Sequence, residues 1–456
     1  MKATVSKDNG VENQRIRNLN TQSFNHGKYI LYWMQASQRV VDNHALAFAV
    51  DMAHTKQMPL VVFFGLTDDF PDANYRHYQF MLQGLQEVQR NLEQLGISFI
   101  LRHISPELGA IELSSDASML VVDKGYLRIQ RQWRKKVASQ IHCPCIQVES
   151  DVVVPVELAS QKEEYSAATF RPKISKLVKR FLVPISSLEP VKHSISSELD
   201  TLSLSNLSSV LKLLDVDKTV PASSEFYGGT SQGLQRVHDF IKKHLAEYEN
   251  NKNDPSKNCV SNVSPYLHFG QLSPLTIALA IQKEKTPGSE SYLEELIVRR
   301  ELSINFAYYN QNYDSYESLP SWCQQTLSHH SKDKRPYTYS LDEFEHAQTH
   351  DPYWNAAQLQ MISTGKMHGY MRMYWGKKII EWTSSPQEAY RIALYLNNKF
   401  ELDGRDPNGF TGVAWCFGKH DRPWVKRTIF GKIRYMNAKG LERKFNIEQY
   451  AKAYRQ

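Results

Sequence analysis

Short runs of apolar residues alternate, in the first third of the chain, with longer stretches whose apolar positions recur every three or four residues. YILYWM (29–34), LVVFFG (60–65), ISFIL (97–101), MLVVD (119–123) and CIQVES (145–150) are short and apolar throughout, as strands buried on both faces are. Helical patterns such as NYRHYQFMLQGLQEVQRNLEQLG lie between most of them, and Gly96 closes that one as a C-terminal cap. Strand and helix alternating at this pace predict βαβ units: an α/β domain with a doubly wound parallel sheet of five strands. None of these strands is followed by GxGxxG, so the domain lacks the usual phosphate-binding loop of a dinucleotide fold.

The pattern loosens between residues 151 and 226, where SISSELDTLSLSNLSS is rich in serine and prolines punctuate the ends. This segment reads as an interdomain linker with helical pieces, one of them around 174–181. From 227 to 456 strand signals almost vanish. GLQRVHDFIKKHLAEYEN, LTIALAIQKEK, SYLEELIVRRELSINFAYYN and PQEAYRIALYLNNKFE all carry helical spacing, so an all-α C-terminal domain is expected. Residues 1–25 are polar, of mixed charge, and read as a flexible N-terminus preceding an α/β domain at 26–150.

Composition agrees with two globular domains: 456 residues, 41% hydrophobic and 23% charged. Neither a signal peptide nor an apolar run of membrane-spanning length is present, which predicts a cytoplasmic protein, or a nuclear one in a eukaryote. Five cysteines without metal-ligand spacing predict reduced thiols and no metal site. The net charge of +7 is unevenly spread. RPKISKLVKR (171–180) and the stretch 419–445 are strongly basic, and Trp424, Phe430 and Tyr435 interrupt the second. Such a stretch is either a solvated face or a polyanion-binding surface.

WNAAQLQMISTGKMHGYMRMYWGKKIIEW (354–382) holds three of the eight tryptophans. Trp375 and Trp382 are seven residues apart, hence on one helical face. Thr364-Gly365 can break the helix and fold Trp354 back onto Trp375. A row of indoles can pass an electron by hopping; the same residues can equally form a core stripe. Ser261, Asn262 and Ser264 precede Pro265 at an expected helix start, which suits an anion site or simply an N-cap. EELIVRREL sets Glu294, Glu295, Arg299, Arg300 and Glu301 in a largely apolar helix, and LDGRDPNGF crowds Asp403, Arg405 and Asp406 among glycines.

SPYLHFGQLS, EELIVRREL, the tryptophan stretch, YLNNKFELDGRDPNG and FGKIRYMN resemble hallmark segments of photolyases, specifically the class II cyclobutane pyrimidine dimer photolyases. FGLTDDFPDANYRHYQFML, VVDKGYLRIQRQWR and ESDVVVPVE extend the likeness across nearly the whole chain. The resemblance implies light-driven repair of cyclobutane pyrimidine dimers in UV-damaged DNA. In that reaction an electron passes from excited FADH⁻ to a flipped-out dimer, and the cyclobutane ring splits. It makes the helical domain the FAD-binding domain. Tyr248, Ser261, Asn262, Val263, Ser264 and Arg299 would hold the ribityl-phosphate side. Arg372 and Asp403 would pair beside the flavin ring, and Asn397 would face its protonating nitrogen. Trp375, Trp354 and Trp382 would form the electron chain. Glu295 would hydrogen-bond the lesion, Met373 and Trp415 would line its pocket, and Lys419, Arg422, Lys426, Arg427, Lys432 and Arg434 would grip DNA phosphates.

Two positions depart from other photolyase classes: Val298 stands where they carry a tryptophan, and Tyr292 where they often do. The α/β domain is expected to house an antenna chromophore, a deazaflavin ahead of a folate or flavin, and the family implies a monomer without membrane contact. A cryptochrome-like photoreceptor, which would carry a long C-terminal extension and lose pocket residues, is the nearest rival. Repair of the (6-4) photoproduct would call for poised pocket histidines, and a thermal flavin oxidoreductase for a nicotinamide fingerprint.

Overall fold

The computed structural model describes residues 11–455 except 194 and 196–198. The expected flexible N-terminus and the Ser-rich linker therefore lie partly outside the described residues. The expected strands form as β2 (Tyr29–Trp33), β3 (Leu60–Leu66), β4 (Ser98–His103), β5 (Ala117–Asp123) and β6 (Cys145–Val148), all mutually parallel. Every residue of β2, β3 and β5 is buried, which is why their sequences run apolar without alternation. Ile30 and Tyr32 face a core shared with the helices α1 (His44–Lys56) and α2 (Tyr75–Gln94). Tyr29, Leu31 and Trp33 face the opposite core, under α3 (Pro106–Ser114) and α4 (Arg128–Gln140).

The sheet has six strands, not five, in the order β1-β6-β5-β2-β3-β4. The additional strand, β1 (Ile16–Asn18), pairs antiparallel with β6, inside the segment expected to be flexible. Three residues reading IRN carry no hydrophobic alternation. What fastens them is Arg15, whose buried guanidinium donates to the carbonyls of Glu149, Val152 and Val153.

Helices make up the rest, beginning within the connection at Ala167–Phe181 and Leu207–Leu213 and running to Ile447–Tyr454. Beyond residue 227 the described residues hold only an isolated bridge, Arg427 to Gly431. No helix among the described residues is long and apolar enough to cross a membrane, and none of their His, Cys, Asp and Glu cluster as metal ligands do.

Polar side chains from the α/β domain lock the two domains together. At one point Arg39 pairs with Asp151 at 2.7 Å and donates to the Gly270 carbonyl at 2.9 Å. At another, Arg76 of α2, 1% exposed, donates to the carbonyls of Pro221, Met361 and Phe400 at 2.8–3.1 Å and to that of Ile362. Met361 and Ile362 lie in the last turn of the helix Pro352–Thr364, and Phe400 ends the helix Pro386–Phe400. Carbonyls in the last turn of a helix run short of donors from their own helix, although that of Met361 is also met by the Gly365 N–H at 3.0 Å, and a cation suits the negative end of the dipole. The neighbouring His77 and Asn74 reach the carbonyls of Glu401 and Lys399 at 3.0 and 2.7 Å.

Arg76→Met keeps the buried stem and removes all of these donors. It is expected to cost about 3 kcal/mol, the scale of hydrogen bonds to a charged group. Denaturant unfolding followed by circular dichroism measures this; a midpoint equal to that of the wild type would show that the guanidinium does not hold the junction.

Candidate functional site

A cavity of about 480 Å³ opens in the helical domain. Tyr248, Tyr292 and residues 260–264 form one side, the helix Gly369–Trp382 and residues 403–412 the other, and the segment from Glu295 to Ser303 closes it. That last segment contains a π-helical turn, Glu294–Arg299. The wider turn rotates the next face of the helix, so Glu295, Arg299 and Arg300 all reach the cavity wall.

On the first side, Ser261, Asn262, Val263 and Ser264 all line the cavity. The helix after them is only Ser264–His268, and its N-cap, Val263, offers no side-chain bond; the capping alternative is not what these polar residues do. Asn262 adopts the left-handed conformation, φ 53°. Ser261 Oγ accepts from the Tyr292 hydroxyl at 2.9 Å, and Ser264 Oγ from Lys366 Nζ at 2.5 Å. Tyr248 is buried edge-on to Tyr292, with ring centroids 5.2 Å apart.

A charged cluster faces them. Arg372 Nη2 lies 2.9 Å from Glu401 Oε1 and 3.8 Å from Asp403 Oδ1, so the expected Arg372–Asp403 pair exists but a nearer acid competes for it. Lys366 Nζ stands 3.6 Å from Asp403. Burial pushes the Asp403 carboxyl up, but Lys366 and Arg372 outweigh it and hold it well below the usual carboxylate range. Burial raises Glu401 to about 7 in spite of Arg372, and lowers His368 to about 4, leaving that imidazole neutral. Four polar atoms on this wall, Arg372 Nε, Asp403 Oδ1, His368 Nε2 and Thr411 Oγ1, are buried without a hydrogen-bond partner in the protein. Leaving such groups unsatisfied costs about 1–3 kcal/mol each, so the wall fits a polar ligand with both donors and acceptors.

Asn397 is placed elsewhere. It is 1% exposed, its amide donates to Asn398 Oδ1 at 3.1 Å, and it is not among the lining residues. On this side of the cavity it is Asn408 that reaches the wall. Arg405 likewise turns away, donating to the Asn398 carbonyl at 2.8 Å.

Near solvent the cavity is edged by Glu295, Met373 and Trp415. Glu295 is exposed and pairs with Lys252 at 2.9 Å. Trp415 presents an indole 39% exposed, an open aromatic face beside a deep pocket.

Outside the cavity lining the three tryptophans form a row, two of them on the helix that carries Arg372. Gly365, at φ 84°, ends the helix Pro352–Thr364 and lets it double back. Trp354 then stacks on Trp375 at 6.3 Å and 8°, and meets Trp382 at 6.1 Å and 64°. Trp354 Nε1 donates to the Trp375 carbonyl at 3.0 Å, and Trp375 Nε1 to Gln358 Oε1 at 2.9 Å. All three also belong to the main hydrophobic core of this domain, so core and row are one and the same set of residues.

The basic stretch divides. Arg422, Lys426, Arg427 and Lys432 are exposed; Arg422 and Arg434 lie over the Trp424 ring, at 5.4 and 5.2 Å. Lys419 is a correction to the expected phosphate contacts. It is 5% exposed, and its ammonium is taken up by Glu163 and the Ser318 carbonyl.

Sequence reasoning did not single out Glu401, Lys366 or Asn408, and it set His268 and His368 aside as outside any segment suited to proton transfer in a (6-4) pocket. Glu401 stands two residues before Asp403 in the segment already noted for its charge, and that proximity was the available signal. A second cavity, of about 130 Å³, lies between the domains, walled by Phe70, Tyr78 and Trp133 on one side and Phe269, Arg300 and Ile304 on the other.

A family model described as DNA photolyase matches residues 30–192. A deoxyribodipyrimidine photo-lyase of Methanothermobacter thermautotrophicus is 52% identical over 96% of this chain and 98% of that one. One of Potorous tridactylus is 42% identical over 92% and 80%, and one of Arabidopsis thaliana is 41% identical over 92% and 88%. Among solved structures, a class III photolyase of Agrobacterium tumefaciens aligns with a TM-score of 0.72 at 17% identity, over 95% of this chain and 87% of that one. A cryptochrome of Synechocystis aligns at 0.70 and 15% identity, over 93% and 88%. Those two likenesses speak for the fold; the sequence relatives speak for the family. With matches of this identity spanning nearly its whole length, the chain belongs to the DNA photolyase family.

Proposed function

We propose that this protein repairs cyclobutane pyrimidine dimers in UV-damaged DNA by light-driven electron transfer, as a class II photolyase with FAD in the larger cavity. The observation that carries the reading is the buried row of three indoles, two of them on a helix of a cavity wall with polar atoms that lack hydrogen-bond partners. Close relatives named as photo-lyases support the same activity.

Reduced FAD, when bound, supplies the photoexcited electron that a neutral, kinetically stable cyclobutane ring needs in order to open. Residues 261–264 with Tyr248 and Arg299 are suited to hold its ribityl-phosphate side. Arg372, Asp403 and Lys366 face the space left for the ring. The indole row offers a path that returns electrons to an oxidised cofactor. At the mouth, Trp415 and Met373 provide apolar contact for a dimer taken out of the duplex, a step made easier by the lesion's weakened stacking. There Lys252 offers a cation, and Glu295 would donate a hydrogen bond in its protonated form, to base carbonyls that gain negative charge; donors aimed at developing charge are the usual means of stabilising it. Arg422, Lys426, Arg427, Lys432 and Arg434 suit phosphate contacts, which position the DNA without reading its sequence. The smaller, aromatic-walled interdomain cavity supports an antenna chromophore, a deazaflavin ahead of a folate or flavin. A monomer acting on DNA in the cytoplasm, or in a nucleus, completes the reading.

Two experiments test it. The purified protein, chemically reduced and mixed with an oligonucleotide carrying one thymine dimer, should restore intact thymines under blue or near-ultraviolet light and none in darkness. Repair in the dark, or none in the light with flavin bound, contradicts the proposal. Glu295→Ala should retain flavin and damaged-DNA binding while the yield of repair per absorbed photon falls about tenfold, the worth of one hydrogen bond to a charged group. An unchanged yield removes Glu295 from the chemistry.

A further inference from the structure

Each electron that leaves the indole row leaves one positive charge in an apolar core. Trp354 is 0% exposed and packs against Trp375, Trp382 and Phe344, the last at 5.2 Å. An oxidised indole sheds its N–H proton where a base can take it. Here the acceptors are amide oxygens: the Trp375 carbonyl for Trp354, and Gln358 Oε1 for Trp375. Such oxygens accept a hydrogen bond but hold no proton at neutral pH. The oxidised ring therefore stays a cation, and a buried charge without a counter-charge is costly.

A buried anion stands beside it. Asp351, 6% exposed, is the N-cap of the helix Pro352–Thr364 that carries Trp354. Its Oδ1 accepts from the backbone N–H groups of Tyr353 at 2.9 Å and of Trp354 at 3.0 Å, and its Oδ2 from the Tyr374 hydroxyl. These partners are all neutral donors, the set that an ionised carboxylate takes up, and no ion pair among the described residues engages Asp351. Burial and this carboxylate hold the Tyr374 phenol well above its usual range, so the negative charge belongs to Asp351. Capping does not call for that charge, since Asn or Ser caps as well. Counted in bond lengths from its backbone nitrogen, the Trp354 ring centre lies within about 8 Å of the carboxylate. At Trp382 the Lys378 ammonium, 5.4 Å from the ring centre, is matched by Glu381 at 2.6 Å, so that pair adds no net charge there.

We infer that Asp351 is a positioning residue for electron transfer: its carboxylate stabilises the positive charge left on Trp354 and so slows the return of the electron. The inference rests on the reading of the row as the electron source of a bound flavin. One electron passes from Trp375 to the photoexcited oxidised cofactor, and Trp375 is refilled from Trp354, which keeps its proton and holds the charge. At about 8 Å and an effective dielectric of about 20, a carboxylate favours positive charge on that ring by about thirtyfold.

Transient absorption after a blue flash on the oxidised holoprotein reads the return of the electron directly. Asp351→Asn and Asp351→Ser keep a cap and remove the charge. In each the electron should return about thirtyfold faster than in the wild type, and lasting photoreduction should fall, while repair by chemically reduced protein is unchanged. Tyr374→Phe removes the phenol and keeps the carboxylate, and its return rate should match that of the wild type. A wild-type return rate in either Asp351 variant, or an equal acceleration in Tyr374→Phe, overturns the inference and leaves the row standing as an electron source. A wild type that shows no photoreduction at all overturns the reading of the row, and the inference with it.

Discussion

Arg76 carries a positive charge into the junction between the α/β and helical domains, and its direct partners there are carbonyl oxygens, not carboxylates. Two of those carbonyls, Met361 and Phe400, belong to the ends of two separate helices, where the peptide dipoles leave partial negative charge. Burial lowers the guanidinium to about 10, still ionised at neutral pH. One side chain thus ties the end of the helix bearing Trp354 to the end of the helix Pro386–Phe400. Just past these two ends the chain builds the site itself: Lys366 and His368 after the first, Glu401 and Asp403 after the second. The α/β domain, through α2, is in this way a structural part of the cavity in the other domain.

The tryptophan row shows why core packing and electron conduction are not competing descriptions. Close packing brings Trp354 within 6.3 Å of Trp375 and 6.1 Å of Trp382, and burial in an apolar core keeps water away from all three. The indole nitrogens of Trp354 and Trp375 are nevertheless bonded, one to a carbonyl and one to Gln358, so the rings are held in rotation as well as in place. A conducting row needs short, fixed separations, and a well-packed core supplies them.

Much of this was legible in the sequence, and the rest was hidden for physical reasons. The inner strands announce themselves because burial on both faces leaves room for apolar residues alone. β1 does not, because three residues at an edge are fastened by Arg15 and contacts to residues more than 130 positions away. Arg76 and His77 looked like polar residues of an amphipathic helix; their partners are some 285 and 324 residues distant. Charge runs predict exposure, and Lys419 at the head of one is instead folded under against Glu163. The Ser261 to Ser264 run, Arg372, Asp403, Met373 and Trp415 converge on one cavity, whereas Asn397 stands behind it.

The central claim is that the clamped indole row delivers electrons to the cavity. Transient absorption after a blue flash on the oxidised protein, compared with Trp375→Phe, tests it most directly. The account predicts photoreduction of the bound flavin in the wild type and its loss in the variant, with light-driven repair intact in the variant once the cofactor is reduced chemically. Photoreduction at the wild-type rate in Trp375→Phe would contradict it and leave the three tryptophans as core packing alone.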